Sequence, residues 1–377
     1  MEASTNNRVK IQEVTKITPF SDQTTEVSLP LTYFDAFWFK LFPVERLFFY
    51  EITELTSDFF NSIILPKLKH SLSLTLLRYL PLAGNLMWPA LAEKPAVYYF
   101  PNDGVSVTVA ESDADFNNLT GNRIIREAVE FRHLTPQLSI SDDKAAVTAI
   151  QITLFPNQGF SIGISTHHAV LDGKSSTLFV KAWAYMCKQL GNEEENASLL
   201  PELTPIFDRT VIKDLKGLDM VNYKRWQDWT ISDSDTNKRS MKVIPSFVDV
   251  NKLVRATFEL TNEDIMKLRN KLLSLSNVVN QSKQLHLSTY VLTLAYTFCC
   301  IVKARKEEGN RNVTFGISAD CRSRLDPPIP SNYFGNCLGR LSEAAKASDF
   351  TEENGIAFVA EKLSDLIVKG LKGPGYH

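Results

Sequence analysis

Residues 145–173 read AAVTAIQITLFPNQGFSIGISTHHAVLDG. Two runs, Ala145 to Phe155 and Phe160 to Thr166, alternate in side-chain character, and Pro156-Asn157-Gln158-Gly159 between them is a turn sequence. The pattern predicts an antiparallel hairpin whose second strand ends directly at His167-His168. Beyond Asp172-Gly173, Leu178, Ala182, Met186 and Leu190 recur every four residues, with Phe179, Trp183 and Cys187 beside them. That spacing predicts a helix from about Ser175 to Leu190 with one broad apolar face. Ser175 or Ser176 can cap its first amides, and Gly191 follows its end. A strand end that leads through a loop into a helix is where α/β proteins place reactive side chains.

Working outward, Asp58 to Tyr79 carries Phe59, Ile63, Leu68, Leu72 and Leu76 at helical spacing, with Pro66 expected to interrupt or kink it. Ala96 to Phe100 and Val105 to Val109 read as strands around a turn at Pro101 to Gly104. From Asn192 to about Asp249 periodicity is poor, and the first part of this stretch reads as a long crossover between two domains. The second half repeats the grammar. Leu253 to Leu260 reads as a strand, and Thr261-x-x-Asp264 as a capping box opening a helix to about Leu275. Ser288 opens an apolar helix to about Arg305, Asn312 to Ser318 alternates as a strand, and Thr351 to Lys369 reads as a last helix.

The chain has 377 residues, enough for two or three domains at roughly 150 residues each. Apolar residues make up 44% and charged residues 22%, the mix of a packed globular protein. Forty-one basic against forty-three acidic residues leave a net charge of −2, so no basic field exists to hold a nucleic acid. The five cysteines are widely spaced without a C-x-x-C pair, which argues against a disulfide framework or structural zinc and fits a reducing compartment. The first fourteen residues lack the apolar core of a signal peptide. The richest apolar stretch, Tyr33 to Tyr50, is broken by Asp35, Lys40, Pro43, Glu45 and Arg46, so no membrane span is expected. The chain is read as soluble, cytoplasmic and monomeric.

Thr166-His167-His168-Ala169-Val170-Leu171-Asp172-Gly173 is the candidate site. A bare His-x-x-x-Asp spacing is weak, since roughly 0.3 such pairs arise by chance in this composition. Three readings stand beside one another. The pair can be a structural His with an Asp that caps the next turn. His167, His168 and Asp172 can be metal ligands, although i,i+4 ligation needs a helix that the strand before and Gly173 after argue against. Finally, His168 can be a general base: a neutral imidazole takes the proton of an alcohol as it attacks an activated acyl group. Gly159-Phe160-Ser161-Ile162-Gly163 matches the letters of a nucleophile elbow but sits inside the predicted strand, so no acyl-enzyme is expected from Ser161.

His168-x-x-x-Asp172-Gly, preceded by His167 and followed by Lys174-Ser175, resembles the motif of the plant BAHD family of acyl-CoA-dependent acyltransferases. Leu29-Pro-Leu-Thr-Tyr-Phe-Asp35, Tyr79-Leu-Pro-Leu-Ala-Gly84, Asp320-Cys-Arg-Ser-Arg324 and Tyr333-Phe-Gly-Asn-Cys337 agree with it, and together they span nearly the whole chain. Pro43-Val-Glu-Arg46 with Tyr333 to Cys337 resembles the anthocyanin and phenolic-glucoside branch, whose members often use malonyl-CoA. The resemblance implies an α/β fold of two chloramphenicol-acetyltransferase-like domains, with mixed sheets and flanking helices and the site in a channel between them. The boundaries expected are 1–190 for the domain carrying the motif, 191–222 for the crossover and 223–377 for a partial second domain.

The same resemblance implies acyl transfer, of malonyl in the sense of that branch, from acyl-CoA to a hydroxyl of a phenolic or flavonoid glucoside. His168 would be the base, acting in a ternary complex without an acyl-enzyme. Asp172 is expected to be structural and paired with Arg322, or with Arg324 in its place, while His167 is a neighbour. Ser175, Lys267, Lys271, Ser288 and Asn336 are candidates for contact with substrate or coenzyme A, with Arg269 beside the two lysines. No permanently bound cofactor and no metal are expected; acyl-CoA is a co-substrate. The aromatic run Phe37-Trp38-Phe39 after Asp35 can line an acyl pocket or belong to the core. The family's second signature, Asp-Phe-Gly-Trp-Gly, does not occur up to His377. The expectation is therefore a C-terminally truncated or shortened member with an incomplete second domain, and the alternative function is a non-catalytic relative that binds or regulates.

Overall fold

The computed structural model describes residues 9–20, 25–122, 124–190, 198–229, 238–245, 249–279 and 287–372. Gly191 lies outside them, as do 192–197, 230–237 and 246–248 of the aperiodic stretch. The chain divides into two compact units, one of residues 1–257 with 329–337 and one of residues 258–328 with 338–377.

Two sheets of the first unit are built from β1 (Val9–Ile17), β2 (Val27–Pro30), β3 (Val44–Glu51), β4 (Asn85–Met87), β5 (Ala96–Tyr99), β6 (Val105–Ser112), β7 (Lys144–Ala146), β8 (Thr148–Phe155) and β9 (Gly159–Thr166). The larger runs β1-β6-β8-β9-β3, with β6 and β8 parallel and the other pairs antiparallel. The smaller runs β2-β5-β4-β7. The predicted hairpin is β8–β9, in register from Gly159 opposite Phe155 to Thr166 opposite Thr148. The two strands around Pro101–Gly104, in contrast, enter different sheets.

Every residue of β8 and β9 is buried, although their side chains alternate. Ile150, Ile152, Leu154, Phe160, Ile162 and Ile164 enter the main core of the unit. The small and polar set meets the segment 131–136 instead. Gln151 donates to the His133 carbonyl at 2.8 Å, and Ser165 donates to that of Pro136 at 2.5 Å. Gly163 lies so close to this segment that a Cβ there would stand 2.1 Å from the Leu134 carbonyl oxygen. Alternation thus separates an oily face from a hydrogen-bonded one, not an inside from an outside.

Four helices matter for the first unit: α1 (Tyr33–Ala36), α2 (Leu65–Leu76), α3 (Gly173–Gln189) and α4 (Leu218–Asp228). Pro66 does not break the helical run. A π-helical turn, Phe60–Ile64, leads directly into α2, so Pro66 lies just after a local widening of a continuous run and not at a break. The apolar face of α3 buries Phe179, Ala182, Trp183 and Met186, and Trp183 donates its indole N–H to the Leu68 carbonyl at 3.2 Å on α2. The cap of α3 is Asp172, not Ser175 or Ser176: its carboxylate accepts the Ser175 N–H at 2.9 Å.

The unit boundary differs from the expected crossover at 191–222. Tyr223, Trp226 and Met241 belong to the first core, and Trp226 donates to the Ala36 carbonyl at 2.9 Å. Lys40 reaches the Ser240 and Lys242 carbonyls. The described residues 198–229 and 238–245 therefore count with the first unit. The predicted strand 253–260 shrinks to Val254–Arg255, paired with Arg126–Glu127, and Phe258 beyond it is 91% exposed. Its alternation is matched by a partner strand over two residues only.

The second unit holds α5 (Asn262–Val279), α6 (Thr289–Arg305), the antiparallel pair β10 (Asn312–Asp320) and β11 (Leu338–Lys346), and α7 (Gly355–Lys372). Its core joins Ile265 and Leu272, Val291, Leu292 and Cys299, Phe315, Phe350, Val359 and Leu363. The Thr261–Asp264 capping box forms reciprocally, at 2.9 and 3.2 Å. The last predicted helix begins later than Thr351, because Ala347–Thr351 makes a separate short helix before it.

Candidate functional site

The site grows from the end of β9. His167 continues the ladder by donating its N–H to the Val147 carbonyl at 2.9 Å, and Val170 donates back to His167 at 3.0 Å. Ala169, Val170 and Leu171 then plunge into the core. His168, between buried neighbours on both sides, is the half-exposed residue of the loop. The chain turns into α3 at Asp172, whose Oδ1 accepts the Ser175 N–H while Oδ2 accepts the Cys337 N–H at 3.2 Å. A carboxylate held by main-chain amides at a helix N-terminus is doubly suited to its place. Arg46 of β3 ties down the same turn, donating to the Gly173 carbonyl and the Thr177 hydroxyl, each at 2.8 Å.

Residues 329–337 supply the other wall. Asn336 is buried, and its Nδ2 donates to the His168 carbonyl at 2.8 Å and to Asp35 Oδ1 at 2.9 Å. Its main-chain N–H reaches the same Oδ1 at 2.8 Å. Thr32 gives Asp35 Oδ2 its main-chain N–H and its hydroxyl, at 2.9 and 2.8 Å. Four donors therefore converge on one fully buried carboxylate, the condition under which burial of that charge is tolerable. Ser175 clips the loop from the α3 side. Its hydroxyl donates to the Gly335 carbonyl at 3.0 Å and accepts the Gly335 N–H at 3.1 Å. Gly335 adopts φ +144°, and a Cβ there would stand 2.3 Å from an Arg209 nitrogen. Arg209 itself donates to the Tyr333 hydroxyl at 2.6 Å.

Burial lowers the pKa of His168, while its own main chain and the Asp172 carboxylate act the other way. His167 is fully enclosed, and burial first, then the charges of His168 and Lys40, bring it down to about 4. Both imidazoles are neutral near pH 7, and only His168 has an open side from which to take a proton. His167 accepts the Ala169 N–H through Nδ1 at 3.3 Å, and both oxygens of Asp172 are engaged by main-chain amides. That arrangement does not suit the metal reading, and among the described residues no three His, Cys, Asp or Glu side chains converge as a metal site. Ser161 lies inside β9, buried, without the strand–turn–helix setting of a nucleophile.

The candidates from sequence fall into two groups. His168, Asp172, Ser175 and Asn336 come together in the first unit, with Ser175 and Asn336 buried as structural links. Lys267, Lys271, Ser288 and Arg322 belong to the second unit. There Lys267 pairs with Glu263 at 2.8 Å on the exposed face of α5, and Lys271 is exposed on the same helix. Ser288 accepts the Val291 N–H at 3.3 Å as the cap of α6. Arg322 is buried, with Nη1 2.9 Å from Asp320 Oδ1, and Arg324 reaches the Asp320 carbonyl.

Sequence reasoning gave no role at the site to Arg46 or Arg209, and it left Trp38 open between acyl pocket and core. Of the aromatic run, Phe39 is core and Phe37 exposed, but Trp38 lies half-buried on His168, ring centroids 3.9 Å apart and planes 12° from parallel. The signal available was its place three residues after Asp35, where a segment that carried the resemblance ends.

A Transferase-family model matches residues 7–372. Phenolic glucoside malonyltransferase 1 of Arabidopsis thaliana is 43% identical over 368 residues, covering 95% of this chain and 77% of the relative. The malonyl-CoA:anthocyanidin 5-O-glucoside-6''-O-malonyltransferase of the same plant is 46% identical over 351 residues, covering 92% and 74%. Among solved structures, vinorine synthase aligns with a TM-score of 0.64 at 19% identity, over 97% of this chain and 76% of that one, a likeness of fold. The mixed α/β architecture expected from the resemblance is thus the one observed.

Proposed function

Since the chain belongs to the Transferase family, the BAHD acyl-CoA-dependent acyltransferases, we propose that it moves a malonyl group from malonyl-CoA to a sugar hydroxyl of a phenolic or flavonoid glucoside. The observation that carries this reading is His168: a neutral, half-exposed imidazole at a strand end, held from behind by Asn336. The names of the similar malonyltransferases support the choice of donor and acceptor.

In the proposed reaction His168 takes the proton of the acceptor hydroxyl as its oxygen attacks the thioester carbonyl. The tetrahedral adduct collapses by breaking the C–S bond. The coenzyme A thiolate leaves and takes the proton from the imidazolium, so that ester, free thiol and neutral base remain. Asp172 takes no part in proton transfer; it fixes the loop through the Ser175 and Cys337 amides.

The test is to supply malonyl-CoA with a phenolic glucoside, following thiol release and identifying the product by mass. His168→Ala should lower kcat by about 10²–10⁴-fold and leave acyl-CoA affinity within about threefold. Undiminished turnover in that variant removes His168 from the mechanism. Transfer from an aromatic acyl-CoA but not from malonyl-CoA keeps the reaction class and overturns the donor.

A further inference from the structure

We propose that Trp38 is a positioning residue of the transfer site: its indole face holds the His168 imidazole in one plane and stabilises the imidazolium formed when that ring takes the acceptor's proton. The inference rests on His168 acting as the base.

The contact is nearly face to face, 3.9 Å between centroids and 12° between planes. Phe37 braces the indole with an edge contact at 5.0 Å and 82°. Beneath the rings the main chain closes a circuit. The Trp38 N–H donates to the Asp35 carbonyl at 3.0 Å, the Asp35 carboxylate accepts from Asn336, and Asn336 donates to the His168 carbonyl. The two rings are thereby held together from both ends, by stacking above and hydrogen bonds below.

The energetic argument lies in the difference between the two protonation states. Two neutral rings gain dispersion and a modest quadrupole term from stacking. A cationic imidazolium over the negative face of an indole gains an ion–quadrupole attraction as well, largest where water is excluded. The contact is therefore stronger once the proton has moved than before. Only interactions with that property raise kcat, because uniform binding does not lower the chemical barrier. A tryptophan present only as core filler would lie inside with Phe39; Trp38 instead covers the one loop side chain that stays open.

The test compares Trp38→Leu with Trp38→Phe in the full chain. Trp38→Leu should lower kcat by about 3- to 30-fold, and Trp38→Phe should restore most of it. The KM for acyl-CoA should stay within about twofold in both, since the lost interaction belongs to the transition state. The spectroscopic readout is the His168 ring-proton resonance in selectively labelled protein, assigned by its disappearance in His168→Gln. Stacking shifts it upfield; it should move downfield in Trp38→Leu and stay between the two in Trp38→Phe. If Trp38→Leu fails to fold, the Trp38→Phe shift decides the matter. Wild-type turnover with an inactive His168→Ala and an unimpaired Trp38→Leu overturns this inference alone. An inactive wild-type chain, or an active His168→Ala, overturns the transfer reading on which it rests.

Discussion

The side-chain amide of Asn336 donates to the main-chain carbonyl of His168 at 2.8 Å, across 168 positions of sequence. The same nitrogen is 2.9 Å from the buried Asp35 carboxylate, so one amide couples the loop of the proposed base to the start of the chain.

Removing that amide should be costly for stability and for rate. Asn336→Ala leaves Asp35 short of one donor and the His168 carbonyl unpartnered by it, a loss of about 1–3 kcal/mol in denaturant melts. Asn336→Asp sets a second carboxylate against Asp35 and should cost more, about 3–5 kcal/mol. Equal stability of the two variants would show that the Asp35 contact is not charge-bearing in effect.

Asp172 separates capping from charge. Asp172→Ala removes the α3 cap and the acceptor of the Cys337 N–H together and should cost about 2–4 kcal/mol. Asp172→Asn keeps one amide-accepting oxygen and should lose clearly less. The measurement is the midpoint of unfolding with unchanged slope; an alanine variant as stable as the asparagine one would refute the capping role.

Gly335 has no room for a side chain. At φ +144°, with Arg209 2.3 Å from the built Cβ, Gly335→Ala must strain the backbone or expel the guanidinium. The strain alone should cost about 1–3 kcal/mol. Because Asn336 is the next residue, the variant should also slow acyl transfer without weakening acyl-CoA binding. Kinetics and a thermal melt on the same preparation check both parts.

His167 should make stability depend on pH. Its folded pKa of about 4 lies below the ordinary histidine value of 6.5, so between those values the unfolded chain binds a proton that the native chain refuses. This contribution is fully present above pH 6.5 and is lost as pH falls towards 4. It amounts to about 3 kcal/mol at most. His167→Asn, whose oxygen can still accept the Ala169 N–H, should flatten the dependence across that window. An unchanged slope in denaturant titrations at several pH values would refute it.

Much of the site's frame was legible in the residues. Pro156 to Gly159 between two alternating runs could hardly be anything but a hairpin turn, and the four-residue recurrence from Leu178 could hardly be anything but a helix. The cap was misread because serines and aspartates compete for it locally, and only the loop's exit from the core decides which side chain points at the free amides. The opening strand Val9–Ile17 escaped notice for a related reason: it is an edge strand with Ile11 and Val14 exposed, so its side chains record no inner face.

By itself the sequence determined the order of strand, His-bearing loop and helix, and the kinship carried by short motifs from Leu29 to Cys337. Local period and turn chemistry act over a few residues and survive any tertiary arrangement. Tertiary structure alone decided that Asp35 meets Asn336 across 301 positions, that Trp38 lies on His168, and that Tyr223, Trp226 and Met241 join the first core. Those contacts depend on which distant segments share a buried interior. Desolvation selects them only after the whole unit has closed, and nothing in the local sequence of either partner states the other's address.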